Sequence, residues 1–192
     1  MTPPRVSVVI LAGGRSTRFG RDKLVEPVDG RPLLDHAIDA VRPLASEILV
    51  VARPDAAPAV AADVRIVHDD VAFEGPLVGA RAGLVAASES VVLLVGGDMP
   101  GLVDGVLRSM VDLLGSADAV VLEHEARPRP LPMVVRRDRG LAAVDRLVDQ
   151  GERRLRALID ALETRTIAET TWRALDPEGD TLRDVDTEAD LG

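Results

Sequence analysis

Short runs of apolar, largely β-branched residues alternate along this chain with longer stretches in which apolar residues recur every three or four positions. The short runs are typical of buried β-strands. Such strands are predicted at Val6–Leu11, Glu47–Ala52, 64–70, 91–100 and 117–123. Residues 129–137 also indicate a strand, although two prolines weaken it.

The longer stretches predict amphipathic helices between the strands. They fall within residues 31–44, 76–87, 102–114 and 140–162, the last being broken near Gly151. Strands that are apolar throughout and alternate with helices are typical of a parallel sheet covered on both faces. We therefore expect an α/β fold with a mostly parallel central sheet, in a single domain over residues 1–192.

The charge and composition exclude several function classes. A formal net charge of −9 argues against a nucleic-acid binder or a membrane-surface binder, both of which need a broad basic surface. The chain has no cysteine, which excludes disulfides and thiolate metal sites. No apolar run is long enough to span a membrane, and the first residues lack the layout of a signal peptide. A soluble cytoplasmic protein is expected.

Candidate chemistry lies at the ends of three of the predicted strands. Gly13 and Gly14 come after the first strand, Asp69 and Asp70 end the third, and Asp98 lies at the end of the fourth. In an open α/β sheet, ligands bind beyond the carboxyl ends of the strands. If the strands are parallel, the three groups lie along one edge and form a candidate site.

The glycine loop after the first strand, "LAGGRSTRFGRDKL", concentrates positive charge in an acidic chain. Its basic residues are Arg15, Arg18, Arg21 and Lys23, the last being the only lysine in the protein. The glycine spacing matches neither the dinucleotide-binding nor the P-loop template. Backbone N–H groups at glycines, together with these cations, nevertheless suit a phosphate group. The alternative is an ordinary turn with solvated arginines.

Carboxylates offer candidate metal ligands at two places. Asp98 could hold Mg²⁺, or it could cap the helix that follows. Asp184 and Asp186 lie on one face of the chain if that segment is extended, and they could complete a metal site with Asp98. Alternatively, Thr187 and Asp190 mark the start of a helix that the acids would favour.

Other polar residues carry weaker signals. The three histidines show no zinc-binding spacing. Trp172 is predicted to be a packing residue, and Arg153, Arg154 and Arg156 to form a solvated helix face.

Six segments in order resemble the molybdenum cofactor guanylyltransferases. They are "LAGGRSTRFGRDKL", "HDDVAFEGPLVGARAGL", "GGDMPGL", "RPLPMVVRR", "GERRLRALI" and "RDVDTEADL". In the first, Phe19 replaces the methionine of the family signature. The first motif belongs to the wider nucleotidyltransferase superfamily, whereas the succession of all six is similar to this family.

The resemblance implies an Mg²⁺-dependent enzyme that transfers GMP from GTP to the phosphate of molybdopterin and releases pyrophosphate. It also implies a Rossmann-like, three-layer nucleotidyltransferase domain. The implied partners are GTP, molybdopterin and, transiently, proteins that deliver molybdopterin or molybdoenzymes that receive the product.

The resemblance also implies roles for individual residues. Lys23, Arg18 and Arg15 would act on the phosphates as catalytic residues, and Asp98 would bind Mg²⁺ with Asp186. Residues implied in nucleotide binding are Leu11, Ala12, Gly13, Gly14, Lys23, Asp69, Gly75, Pro76, Leu77 and Asp98. With Gly79, the Gly-Pro-Leu turn would shape a wall between the base and the pterin.

Departures from the family pattern leave alternatives open. Asp184 and Asp186 stand where the family often has asparagines, and that ending also occurs in related cytidylyltransferases. CTP in place of GTP, another small phosphate as acceptor, and a non-catalytic nucleotide-binding module are the alternative functions.

Overall fold

The computed structural model describes residues 4–12, 27–28, 30–54, 56, 58–68 and 75–185. Its strands are β1 (Val6–Leu11), β2 (Pro27–Val28), β3 (Arg31–Pro32), β4 (Glu47–Ala52), β5 (Val64–His68), β6 (Val91–Gly96), β7 (Ala119–His124), β8 (Arg127–Arg136) and β9 (Thr164–Ile167). Its helices are α1 (Leu33–Val41), α2 (Pro76–Ala86), α3 (Asp104–Asp112), α4 (Arg137–Asp149), α5 (Ala157–Ala161) and α6 (Glu169–Trp172). A 3₁₀ turn covers Asp180–Leu182.

A seven-stranded sheet, in the order β5-β4-β1-β6-β8-β7-β9, forms the centre of the described part of the chain. Strands β5, β4, β1 and β6 are parallel neighbours. The prediction of a mostly parallel sheet is therefore confirmed, and the carboxyl ends of these four strands lie along one edge. The two short strands β2 and β3 form a separate antiparallel pair.

Strand β8 departs from the parallel pattern. Among the described strands of the seven-stranded sheet, it alone runs antiparallel to both of its neighbours, β6 and β7. The segment that two prolines were expected to weaken forms a strand of 10 residues. Pro130 and Pro132 lie between its two paired stretches, where a sheet needs no N–H donor from them.

Helices cover both faces of the sheet, as the apolar strands predict. On one face, residues of α1 and α3 pack on alternate β1 side chains such as Val8 and Ile10. On the other face, α2, α4 and α5 pack on the intervening side chains, among them Val9. The predicted three-layer arrangement is confirmed. Among the helices of the described ranges, none combines the length and apolar character needed to cross a membrane.

Candidate active site

The floor of the site is formed where β1, β4 and β6 end. The Ala12 N–H donates to the Val51 carbonyl at 2.8 Å, and the Gly97 N–H donates to the Leu11 carbonyl at 3.1 Å. These bonds continue the hydrogen-bonding ladder to the ends of the strands. The main chain at Leu11 and Ala12 is therefore held rigidly between its neighbours.

Asp98 lies two residues beyond β6 and is half-buried. A Cβ atom at Gly96 would collide with Asp98 Oδ1 and would lie 3.3 Å from Met99 Cγ. The missing side chain at Gly96 thus gives the Asp98 carboxylate room to fold back over the strand end. Any larger residue at position 96 would therefore be sterically excluded by the Asp98 carboxylate.

Asp98 does not cap the helix that follows. Helix α3 begins at Asp104, its N-cap residue is Val103, and no side chain caps it. The capping alternative is wrong. The Asp98 carbonyl instead accepts the Val185 N–H at 3.0 Å, which joins this loop to the C-terminal segment.

Asp184 approaches the same end of the sheet through this main-chain contact. Its carboxylate lies 3.8 Å from Arg129 Nη2 on β8, with side chains 36% and 42% exposed respectively. A guanidinium beside the carboxylate offsets part of the negative charge at this edge. Asp186, the other predicted metal ligand, lies outside the described residues, as do Thr187 and Asp190.

The Gly-Pro-Leu turn, residues 75–77, lies beside this floor as a wall at the start of α2. Gly75 precedes the helix with φ of 103° and ψ of 169°, and Pro76 is the first helical residue. The Leu77 N–H, which a helix leaves without an internal acceptor, donates to the Arg153 carbonyl at 3.3 Å. A Cβ atom at Gly75 would lie 2.9 Å from that same carbonyl oxygen.

Gly79 brings this wall onto the floor of the site. A Cβ atom there would lie 3.7 Å from Leu11 Cδ2 and 3.8 Å from Val51 Cγ1, so α2 packs closely on β1 and β4. The Leu77 side chain is fully buried in the core. A ligand at this wall would therefore meet the backbone of Leu77 and not its side chain.

Comparison with known proteins places the chain in a family. The family model described as "MobA-like NTP transferase domain" matches residues 8–166. The chain belongs to the MobA-like NTP transferase family. The expected family is thereby confirmed.

Two curated relatives illustrate this family. A "Molybdenum cofactor guanylyltransferase" of Desulfosudis oleivorans is 31% identical over 97% of this chain and 92% of its own length. A protein of Chloroflexus aggregans named "Probable molybdenum cofactor guanylyltransferase" is 33% identical over 97% and 91%.

A solved structure agrees with the fold. The molybdopterin-guanine dinucleotide biosynthesis protein A of Archaeoglobus fulgidus superposes with a TM-score of 0.77 and 20% identity, over 96% of this chain and 94% of that one. The α/β nucleotidyltransferase fold is confirmed.

Part of the predicted MobA-like site can be placed. Leu11, Ala12, Gly75–Leu77 and Asp98 adjoin the same edge of the sheet. The other predicted site residues lie outside the described residues: Gly13, Gly14, Arg15, Arg18, Lys23, Asp69 and Asp186. The functional roles of both groups of residues stay predictions.

Sequence reasoning missed the contribution of the loop over residues 150–156 to this site. Arg153, Arg154 and Arg156 precede α5 and do not form a helix face. The half-buried Arg153 donates to the carbonyls of Val148 and Glu152, while its own carbonyl meets the Gly-Pro-Leu turn. Backbone carbonyls leave no signal in residue types, so only the structure identifies this contact.

Glu152 shapes the same loop. Its carboxylate accepts hydrogen bonds from the Arg154 side chain and from the backbone N–H groups of Arg154 and Arg153. These bonds lower the pKa of Glu152 to about 2, so the carboxylate is ionised at neutral pH.

Proposed function

We propose that this protein transfers GMP from GTP to the phosphate of molybdopterin and releases pyrophosphate. The observation that carries this proposal is the similarity to proteins named molybdenum cofactor guanylyltransferase, at 31–33% identity over 97% of the chain. An acidic residue at the carboxyl edge of a parallel sheet, where α/β enzymes bind their ligands, supports it.

The residues at this edge fit an Mg²⁺ ion bound together with a substrate phosphate. Magnesium takes hard oxygen ligands, usually one or two carboxylates with phosphates and water. Asp98 offers one half-buried carboxylate. Within the described ranges, no group of three or more acidic or histidine side chains could hold a metal by itself. Asp98 with Asp186 would hold the ion, which would supply charge neutralisation on the phosphates.

The reaction joins a phosphate oxygen of molybdopterin to the α-phosphorus of GTP and breaks the bond from that phosphorus to the bridging oxygen of pyrophosphate. The attacking phosphate is already an anion near neutral pH, so no strong general base is needed. The chain's task is to align the two substrates and to offset their negative charge. Lys23, Arg15 and Arg18 would offset the charge of the triphosphate, and the Gly75–Leu77 wall would separate the base from the pterin.

The test is pyrophosphate release from the purified protein with Mg²⁺ and molybdopterin, comparing GTP, CTP, ATP and UTP. We expect release with GTP alone. Lys23→Ala and Asp98→Asn should each lower turnover by about a hundredfold or more, since single charges at such sites have effects of this size. Release with CTP would overturn the choice of base, and triphosphate binding without release would indicate a binding module.

Two matched variants serve as controls. Lys23→Arg keeps the charge but replaces a compact ammonium with a planar guanidinium, so a tight phosphate contact should still be impaired. Asp112→Asn removes an exposed carboxylate at the end of α3 and should leave turnover unchanged. Full activity in Asp98→Asn would remove Asp98 from the metal role.

A further inference from the structure

The segment over residues 176–185, here called the C-terminal strap, is joined to the Asp98 loop, residues 97–103. The Val185 N–H donates to the Asp98 carbonyl at 3.0 Å. The Thr181 hydroxyl oxygen accepts the Val103 N–H at 3.2 Å. These bonds hold both ends of the loop that carries the candidate metal ligand.

A third contact lies between these two bonds. A Cβ atom at Gly101 would lie only 2.7 Å from the Asp180 carbonyl oxygen, so the two backbones touch. Thr181 is fully buried and Val185 is 2% exposed, which shows that the strap is packed against the body of the protein. The strap therefore packs against the Asp98 loop from Asp98 to Val103.

Asp176 gives the strap its shape. Its side chain is 3% exposed. Oδ1 accepts the N–H groups of Gly179 and Asp180 at 3.0 and 3.1 Å, and Oδ2 accepts the Thr181 N–H at 2.8 Å. Burial raises the pKa of this carboxyl, but the hydrogen bonds from Thr181, Asp180 and Gly179 outweigh it and bring the pKa below its ordinary value.

A buried carboxylate with this set of donors folds the chain from residue 176 to residue 181 into one conformation. Burying a charge without such partners would be strongly unfavourable, so the bonds and the turn depend on each other. The turn places Thr181 under Val103 and directs the following residues toward Asp98.

We propose that Asp176 is a positioning residue for the metal end of the active site, acting through the C-terminal strap on the main chain of Asp98. The inference rests on the proposed role of Asp98 as an Mg²⁺ ligand. Residues that orient a metal ligand typically change metal affinity by 10–100-fold when replaced. Both carboxylate oxygens of Asp176 accept backbone N–H groups of the strap, so its effect on the site is exerted through the strap.

The test is calorimetric titration with GTP in the absence of molybdopterin, so that no turnover occurs. The affinity for GTP is measured with Mg²⁺ and with a chelator, and the ratio is the metal-dependent gain. We expect Asp176→Ala to reduce this gain about tenfold and to leave the affinity in the chelator unchanged. Asp176→Asn, which keeps one acceptor oxygen, should recover part of the gain.

Glu47→Ala is the matched control. The Glu47 carboxylate also accepts several donors, from Ser7 and Ser88, but it lies at the amino end of β4, away from the Asp98 loop. The Glu47→Ala substitution should lower the stability of the protein without changing the metal-dependent gain in GTP affinity. An equal loss of gain in Glu47→Ala and Asp176→Ala would overturn the inference.

If Asp176→Ala does not fold, Thr181→Val takes its place. We expect this variant to fold, and it removes the hydroxyl oxygen that accepts the Val103 N–H. Hydrogen exchange of the Val103 amide should then become faster, and the metal-dependent gain should fall with it. Suppose that Asp176→Ala loses the metal-dependent gain while the Val103 and Val185 amides stay protected from hydrogen exchange. That result would contradict a role of Asp176 through the strap.

Asp98→Asn separates the two proposals. If it abolishes the gain while Asp176→Ala does not reduce it, the inference alone is wrong. If Asp98→Asn keeps the full gain, both the metal role of Asp98 and the inference are wrong.

Discussion

Gly75 shows how one residue determines the geometry of the candidate site. Its φ of 103° and ψ of 169° lie in a backbone region that is essentially restricted to glycine. The missing side chain also lets the Arg153 carbonyl approach and accept the Leu77 N–H. Backbone conformation and close contact thus demand the same residue.

Gly75→Ala should destabilise the protein by about 1–3 kcal/mol from the backbone conformation alone, with the overlap against Arg153 adding to this. It should also raise the KM for GTP, because the wall at the start of α2 would shift. Urea unfolding followed by the fluorescence of Trp172, the single tryptophan, measures the first effect, and steady-state pyrophosphate release the second.

Gly115→Ala is the control for this substitution. Gly115 also has a positive φ, of 48°, but a Cβ atom there meets nothing closer than 3.8 Å. It should cost only about 1 kcal/mol and leave the KM unchanged. Equal losses in the two variants would show that the contact with Arg153 has no energetic weight.

At the scale of the elements, the β7–β8 hairpin has an unfavourable turn. Glu125 and Ala126 connect the strands, with φ of 50° and 58°. Two-residue hairpin turns with two positive φ values strongly favour Asn-Gly or Asp-Gly. Glu169 on α6 compensates in part, because its carboxylate accepts the Glu125 N–H at 2.9 Å and lies 3.0 Å from His124 Nδ1.

Ala126→Gly should therefore stabilise the protein, by about 0.5–1 kcal/mol, since glycine adopts positive φ without the steric cost. Ala142→Gly, at an exposed position within α4, should instead destabilise it by about 0.5–1 kcal/mol. Thermal unfolding of both variants checks the opposite signs. A destabilised Ala126→Gly variant would mean that the turn carries no strain.

At the scale of the whole molecule, partly or fully buried carboxylates link stability to pH. Burial raises the pKa of Glu47, but the hydrogen bonds from Ser7 and Ser88 outweigh this effect, so the net pKa is below the ordinary 4.5. The pKa of Asp176 is likewise below the ordinary 3.8. The folded protein therefore holds fewer protons than the unfolded chain in acid.

The free energy of unfolding should be fully maintained above these ordinary values and should fall as the pH drops below about 4.5 and through the lowered folded-state pKa values. Urea unfolding at a series of pH values from 7 to 3 measures this. Glu47→Gln should be less stable at pH 7 and should decline less steeply in acid. A decline as steep as that of the unmodified protein would show that Glu47 titrates normally.

Much of the fold was predictable because burial leaves a local pattern. The apolar runs around Val8, Leu49 and Leu93 are hidden on both faces, so their sequence alone indicates a covered parallel sheet. The place of Asp98 at the end of the fourth predicted strand followed from the same pattern. The segment around Pro130 could be interpreted only as a weakened strand. Whether a proline disturbs a strand depends on whether the neighbouring strand needs a hydrogen bond from that position, and the sequence does not show this.

The sequence by itself determined the α/β fold, the family, and the position of Asp98 at the edge of the sheet, because these depend on local periodicity and short motifs. Only the tertiary structure decided that β8 inserts antiparallel between β6 and β7, that the Arg153 carbonyl meets Gly75, and that the strap shaped by Asp176 returns to Asp98. These contacts join backbone groups far apart in the chain. A backbone N–H or carbonyl is the same at nearly every residue, so no pattern of side chains reveals its partner.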